Sequence, residues 1–121
     1  MRFLLMLQVS TAVLEKQTEE ERTALYAGRR EFQQLASEAG ELISAQVLAD
    51  PSTSTVVRGS SGGVPAVLAG ESADEFLGGY YLVDVDSRQR AIELADLLPD
   101  ARIDGHAVEI RPVMFSAAAD F

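Results

Sequence analysis

The alternation of apolar and polar positions predicts a sheet built around residues 77–86. A period of two places alternate residues of a strand on opposite faces. In this stretch one face is wholly apolar and carries Tyr81, Val83 and Val85. The other face is mixed and carries Tyr80, Leu82 and Asp84. Gly78 and Gly79 at its start allow another backbone to come close. Similar runs predict strands at residues 3–9, 42–48, 53–58, 64–68 and 106–114.

Periodicity and capping predict one long helix. Thr18 and Glu21 form a capping box, because the Thr18 hydroxyl accepts from the Glu21 amide while the Glu21 carboxylate reaches back. The helix is expected to end near Glu38, with Gly40 as its stop. Its buried stripe is predicted at Leu25, Gly28, Phe32, Leu35, Ala36 and Ala39. The charged and polar residues Arg22, Arg29, Arg30, Glu31 and Gln33 are expected mostly off that stripe.

A second helix is predicted over residues 88–98. Asp86 and Ser87 offer side-chain oxygens to its free amides, and Pro99 ends it. Its buried stripe is expected at Ala91, Leu94, Ala95 and Leu98.

The order of elements predicts an α+β fold of the ferredoxin-like type, βαββ(β)αβ, with two helices on one face of the sheet. We expect one domain over residues 1–114 and a short tail over residues 115–121. The uncovered sheet face carries apolar residues: Met6, Leu42, Leu48, Tyr80, Leu82 and Val113. Such a face is costly to leave in water, so a second copy of the chain is predicted to cover it.

Composition excludes several classes of partner and site. The formal net charge is −9, which disfavours binding to a nucleic-acid backbone. The chain has no cysteine and a single histidine, His106, so disulfides, thiolate sites and multi-histidine metal sites are not expected. The apolar opening is much shorter than the ~18 residues of a membrane span. We therefore expect a cytoplasmic protein with no membrane partner, metal or cofactor.

Several segments, in order and spacing, resemble the YCII-related family and specifically its DGPF branch. They are Met1–Leu7, Glu38–Leu42, Ser54–Arg58, Leu77–Asp86 and Val108–Val113. The resemblance implies a dimeric α/β barrel made of ferredoxin-like subunits, with a ligand in the barrel cavity. Related barrels include small-molecule isomerases, cyclases, dehydrochlorinases and cofactor-free monooxygenases.

The chain departs from this family at the motif that names the branch. Residues 68–73 stand where an Asp-Gly-Pro-Phe motif is expected, and Ala69 takes the place of its aspartate. The acid function is therefore either lost or supplied by Glu71, Asp74 or Glu75. The family's histidine near the first strand is also missing.

His106 is a further candidate acid or base, because an ordinary histidine pKa lies near neutrality. The alternative is a polar residue at the start of a strand after an Asp-Gly turn. The acids at residues 71–75 are likewise either a general base at the cavity mouth or a solvated loop.

The candidate substrate-binding residues lie mainly on the mixed sheet face. They are Met6, Gln8, Gln46, Tyr80, Asp84 and Arg111, and Arg58 of the third strand is added to them. Arg111 can hold a carboxylate or enolate oxygen, or it can pair with Glu109. Tyr80 and Tyr26 can stack on a flat substrate, or they can pack in the core.

These observations predict a homodimer that binds a small organic molecule. If it is an enzyme, cofactor-independent isomerase, cyclase or lyase chemistry by proton transfer is expected. The alternative is a non-catalytic binding or accessory protein with an eroded acid site.

Overall fold

The computed structural model describes residues 1–117, in which the helices lie on one face of an antiparallel sheet. The strands are β1 (Arg2–Ser10), β2 (Leu42–Val47), β3 (Thr55–Arg58), β4 (Ala66–Ala69), β5 (Glu75–Asp84) and β6 (Ala107–Pro112). The α-helices are α1 (Thr11–Lys16), α2 (Glu19–Glu38) and α3 (Arg88–Asp96). Short 3-10 turns cover Pro51–Thr53 and Pro99–Arg102. The main sheet has the order β2-β5-β1-β6, while β3 and β4 form a separate hairpin. This arrangement is the predicted ferredoxin-like α+β topology with an inserted hairpin.

The core lies between the helices and the predicted apolar face of the strands. Phe3, Leu5 and Leu7 of β1 are at most 1% exposed, and Tyr81 and Val83 of β5 are at most 4% exposed. The predicted stripe of α3 is also buried: Ala91, Leu94, Ala95 and Leu98. Strand alternation and the second helical stripe were therefore predicted correctly.

The capping predictions at Thr18 and Ser87 are confirmed, and the second predicted helix, α3, is capped by Ser87 rather than by Asp86. Thr18 Oγ1 accepts from the Glu21 amide at 3.1 Å, and its hydroxyl donates to the Glu21 carboxylate at 3.1 Å. Ser87 Oγ accepts from the Arg90 amide at 3.1 Å. The two bonds from the Glu21 and Arg90 amides each satisfy a helical N–H that has no partner within its helix.

Gly79 explains why β2 packs closely against β5. A Cβ at this position would lie 2.5 Å from the backbone oxygen of Gln46 on β2. The predicted close approach of a neighbouring backbone is therefore present, and it requires glycine.

Several boundaries differ from the prediction: α3 ends at Asp96 instead of residue 98, β4 begins at Ala66 instead of residue 64, and β6 ends at Pro112 instead of residue 114. No element was predicted over residues 10–17, between the first strand and the long helix, but Thr11–Lys16 form α1, with Ser10 Oγ accepting from the Val13 amide. Six residues are too few to show a clear helical period. The expected loop over residues 69–76 is shorter because β5 already begins at Glu75.

Several side chains lie on a different face from the one expected. Leu48, expected on the uncovered sheet face, lies on the helix-covered side, where it borders a pocket together with Leu14 and Leu25. A register shift between Leu42 and Ser44 turns Leu42 toward the helices, where it packs on the core. Leu35 of α2 is 44% exposed, whereas the side chain of Arg29 is only 12% exposed. The predicted stripe of α2 therefore wrongly included the exposed Leu35 and Ala39 and left out Arg29.

Residues 118–121 of the predicted tail lie outside the described residues. Within residues 1–117, no helix is both long enough and apolar enough to cross a membrane.

Candidate functional site

A cavity opens on the helix-covered side of the sheet, between α1, α2 and the edge formed by β2 and β5. Its volume is about 180 Å³, and we name it the α2 cavity. Apolar side chains from the strands and α1 form one part of its wall. The polar part consists of Gln17, Arg22, Tyr26, Arg29 and Asp50. This volume lies below the roughly 300 Å³ at the low end of typical ligand pockets, so any occupant has to be smaller than a usual ligand.

Arg29 is the most firmly held polar group of this wall. Its Nε donates to Asp100 Oδ1 at 3.0 Å, and its Nη2 donates to Asp100 Oδ2 at 2.6 Å. The Asp100 side chain is fully buried. A two-point contact between a guanidinium and a carboxylate restricts the orientation of both groups. Arg29 is therefore fixed in place before any ligand arrives.

The charge of Arg29 is maintained despite burial. Burial lowers the pKa of Arg29, but the hydrogen bonds and negative charge of Asp100 outweigh that effect and leave the pKa above its ordinary value. The nearby Tyr81 hydroxyl has a raised pKa, chiefly because of burial, so it stays protonated. The site therefore presents a permanent cation paired with a carboxylate.

Helical spacing places the polar cavity-facing residues of α2 together. Arg22, Tyr26 and Arg29 follow one another at intervals of four and three residues, which puts them on one side of a helix. From the sequence, Tyr26 was expected either to contact a ligand or to pack in the core, and Arg22 and Arg29 were expected mostly off the buried stripe. The missed signal is that Arg29 follows the buried Leu25 by one turn.

The fixed position of Asp100 depends on the turn that follows α3. Leu98 is fully buried, and Pro99 packs against Gly28 of α2, where a Cβ would lie 2.9 Å from Pro99 Cγ. Glycine at position 28 thus lets the Pro99–Arg102 turn approach the helix. That approach carries Asp100 under α2, where it meets Arg29.

His106 lies behind this ion pair, on the side of the sheet opposite to the predicted barrel cavity. Its side chain is fully buried, with Nδ1 3.8 Å from Asp100 Oδ2. Within residues 1–117, neither ring nitrogen makes a hydrogen bond that meets normal geometry. Burial lowers the pKa of His106, although Asp100 acts in the opposite direction. The ring is therefore a neutral group packed inside the fold.

Gln17 connects the α2 cavity to a larger one. The larger cavity, about 420 Å³, lies between α1, α2 and the Pro99–Arg102 turn. Its charged residues, Lys16 and Glu21, are exposed. The Oε1 atom of Gln17, which borders both cavities, is buried and has no hydrogen-bond partner within residues 1–117. We regard the smaller cavity as the better site because its donors are fixed in place.

The predicted substrate-binding face is the opposite side of the main sheet, which we name the open face. Strand register aligns Gln46, Tyr80, Met6 and Glu109 in one row across the four strands. Leu82, Leu4 and Arg111 lie in the next row. The sequence therefore placed Met6, Gln46, Tyr80 and Arg111 correctly on a shared surface. None of them borders the α2 cavity.

The remaining polar positions of the open face are partly paired within the chain. Arg111 forms an ion pair with Glu109, as the alternative interpretation of these residues proposed. Asp84 pairs with Arg2 at 3.6 Å at the end of the sheet. Gln8 lies opposite Leu77 and Ala107, near the other end.

The candidate acids lie apart from one another and from His106. Arg58 and Glu71 line a groove of the β3–β4 hairpin. Asp74 lies where the loop meets α1, its backbone oxygen accepting from the Thr11 amide at 2.9 Å. Glu75 begins β5 and pairs with Ser10. The structure of one chain does not bring these acids together as a catalytic group.

No cluster of three or more metal-ligating side chains occurs in the part of the chain that the structure describes.

A family profile described as the YCII-related domain matches residues 1–115, nearly the whole chain. No curated protein matches the sequence.

Proposed function

The chain belongs to the YCII-related family, and on that premise we propose that it binds a small organic molecule. The proposed site is the α2 cavity rather than the barrel interior expected from the sequence. The observation that carries the proposal is the two-point contact by which the buried Asp100 holds Arg29, a residue of the cavity wall. Buried ion pairs are costly to form, and fixed donors beside an apolar pocket are typical of ligand sites.

We propose that the protein acts as a homodimer joined through the open face. In one chain, Leu4, Met6 and Leu82 remain partly exposed there. The β3–β4 hairpin adds exposed apolar surface, since Val57 and Val67 are 66% and 69% exposed. A two-stranded hairpin is marginal without support, so contact with a second copy would stabilise it.

Binding without catalysis is the form of this proposal that the geometry favours. The candidate acids Glu71, Asp74 and Glu75 do not border the α2 cavity, and neither does His106. Isomerase, cyclase or lyase chemistry remains the second candidate. It would require the exposed hairpin of another copy to bring an acid such as Glu71 toward the cavity.

We also propose that the chain derives from the DGPF branch of the family. Residues 68–73 would then be a degenerate form of the motif, with Ala69 in the aspartate position. Loss of that acid agrees with a binding role.

Filling the cavity tests the binding proposal. Leu48 borders the cavity and is 43% exposed, so Leu48→Trp should fit the fold while occupying the ligand space. A screen of small aromatic fragments by two-dimensional amide NMR should shift cavity resonances in the wild type and lose these shifts in Leu48→Trp.

Ile92 on α3 provides a matched control, because it is also 43% exposed but borders neither cavity. Ile92→Trp should retain the fragment-induced shifts. Fragments that bind equally well to Leu48→Trp would contradict the proposed site.

A further inference from the structure

We propose that the α2 cavity binds the carboxylate of a small acid with an apolar body, and that Arg29 is the group that recognises it. In this arrangement Asp100 is a positioning residue that orients the guanidinium. The inference rests on the proposed binding function and names the chemical class of its ligand.

The guanidinium of Arg29 retains an edge for a ligand. Arginine has five N–H donors in a planar fork. Asp100 occupies Nε and one hydrogen of Nη2, and no hydrogen bond within residues 1–117 uses Nη1. Arg29 borders the cavity and is 12% exposed. The edge formed by Nη1 and Nη2 is therefore available for a second carboxylate to bind end-on.

The charges around the cavity nearly balance, so a carboxylate ligand would be selected by the fixed N–H donors of Arg29 rather than by an excess of positive charge. Asp100 offsets the charge of Arg29, and the exposed Arg22 adds a second cation to the wall. Asp50 opposes an anion, because its Oδ1 accepts from the Ser52 amide at 2.9 Å and the lowered pKa of Asp50 keeps this exposed carboxylate charged. A carboxylate thus gains charge-assisted hydrogen bonds from a guanidinium that needs no reorientation.

The rest of the wall specifies the body of the ligand. Val9, Leu14 and Phe76 give an apolar surface opposite the polar residues of α2. Tyr26 borders the cavity and is 51% exposed, so a flat ring can stack on it. A carboxylate attached to one small ring matches both the volume and the lining, whereas a large or highly charged ligand does not.

Benzoate and benzamide form the probe pair, because they have almost the same shape but differ in charge. Titration of the wild-type protein, followed by amide NMR and calorimetry, should show benzoate binding about 10- to 100-fold more tightly than benzamide, the range expected for a hydrogen bond to a charged group. The Nε–H resonance of Arg29 should shift with benzoate.

Substitutions of two neighbouring arginines of α2 test whether Arg29 causes the preference for benzoate over benzamide. Arg29→Lys keeps the charge but removes the planar fork, so the preference for benzoate should largely disappear. Arg30→Gln is the control, because Arg30 is the next residue of α2 and is exposed. The preference for benzoate should persist in that variant.

Asp100→Asn tests the positioning role. Its expected signature is a lower ratio of benzoate to benzamide affinity, while the affinity for the neutral probe indole is retained. A purely structural role would reduce all three affinities together. If this variant does not fold, the wild-type Nε–H shift and Arg29→Lys still decide the proposal.

The outcomes separate this inference from the function on which it rests. Equal binding of benzoate and benzamide would overturn the ligand class while leaving the cavity as a binding site. Indole binding without benzoate binding would do the same. If none of the three probes shifts the resonances of the cavity, both proposals fail.

Discussion

The two faces of the main sheet hold their arginines in different ways. On the helix-covered face, Arg29 meets Asp100 inside the fold, with side chains 12% and 0% exposed. On the open face, Arg111 meets Glu109 with side chains 63% and 41% exposed. A buried pair is rigid and already desolvated, whereas a solvated pair must be ordered and covered before it can select a ligand. The comparison therefore favours the α2 cavity over the open face as a ligand site within one chain.

The largest expected effect comes from removing the acidic partner of a buried ion pair and, for comparison, that of an exposed ion pair. Asp100→Ala leaves a buried cation without its partner and should lower the free energy of unfolding by about 3–5 kcal/mol. Urea denaturation measures the change. Asp96→Ala removes the partner of Arg102 in an exposed pair at 3.2 Å and should cost at most about 1 kcal/mol.

The double variant Asp100→Leu with Arg29→Met indicates whether the pair serves stability or function. Replacing a whole buried pair with apolar side chains is often neutral or stabilising. We expect most of the stability to return while benzoate binding is lost. Equal losses for Asp100→Ala and Asp96→Ala would contradict the assigned difference between the two pairs.

Neighbouring leucines of β1 compare the two faces directly. Leu5 is fully buried under the helices, so Leu5→Ala should cost about 2–5 kcal/mol. Leu4 points to the open face and is partly solvated, so Leu4→Ala should cost about 1 kcal/mol in an isolated chain. Thermal unfolding at several protein concentrations measures both effects.

The concentration dependence refines that comparison. If a second copy covers the open face, the cost of Leu4→Ala should increase with protein concentration, because association adds to stability by mass action. The cost of Leu5→Ala should change much less. Equal, concentration-independent losses at both positions would contradict the different environments of the two faces.

A charge on the open face tests what covers it. Met6→Glu puts a carboxylate in the middle of the row that contains Tyr80 and Glu109, so it should prevent face-to-face association. Light scattering should then give the 13.0 kDa of one chain in place of twice that mass. Gln34→Glu, an equal charge change on the exposed side of α2, should leave the mass unchanged. A wild-type protein that is monomeric at micromolar concentration would contradict the proposed dimer.

The smallest expected effect is a loss of stability in mild acid due to His106. The ring faces Asp100 and Arg29 inside the fold, and burial leaves its pKa below the ordinary 6.5. The unfolded chain therefore binds the proton more readily than the folded one. Its contribution to stability is fully present above pH 6.5 and is lost as the pH falls below that value.

Urea denaturation at pH 7.5 and pH 5.5 measures this dependence. His106→Phe should show a smaller decrease between the two values than the wild type. Two carboxylates also have lowered pKa values, Glu41 beside Arg90 and Asp50 beside Ser52. Their ordinary pKa values are 4.5 and 3.8, so their contributions to the stability of the protein are lost only at a lower pH than that of His106. An identical decrease in His106→Phe and the wild type would assign the effect to other groups.

The sequence by itself determined the local structure of this protein. Alternation in β1 and β5, the capping box at Thr18 and the stripe of α3 depend on short-range periodicity and local hydrogen bonds, which a linear pattern records. The shared orientation of Met6, Gln46 and Tyr80 followed from the same periodicity. The ferredoxin-like order of elements followed from the succession of these patterns.

Only the tertiary structure decided where the polar residues of the candidate site meet. Arg29 and Asp100 are 71 positions apart, and their pairing depends on the Pro99–Arg102 turn packing against Gly28. The inward turn of Leu42 likewise depends on a register shift against β5 that strand alternation does not reveal. Long-range pairing arises from how whole elements pack, and residue spacing along the chain does not encode that packing.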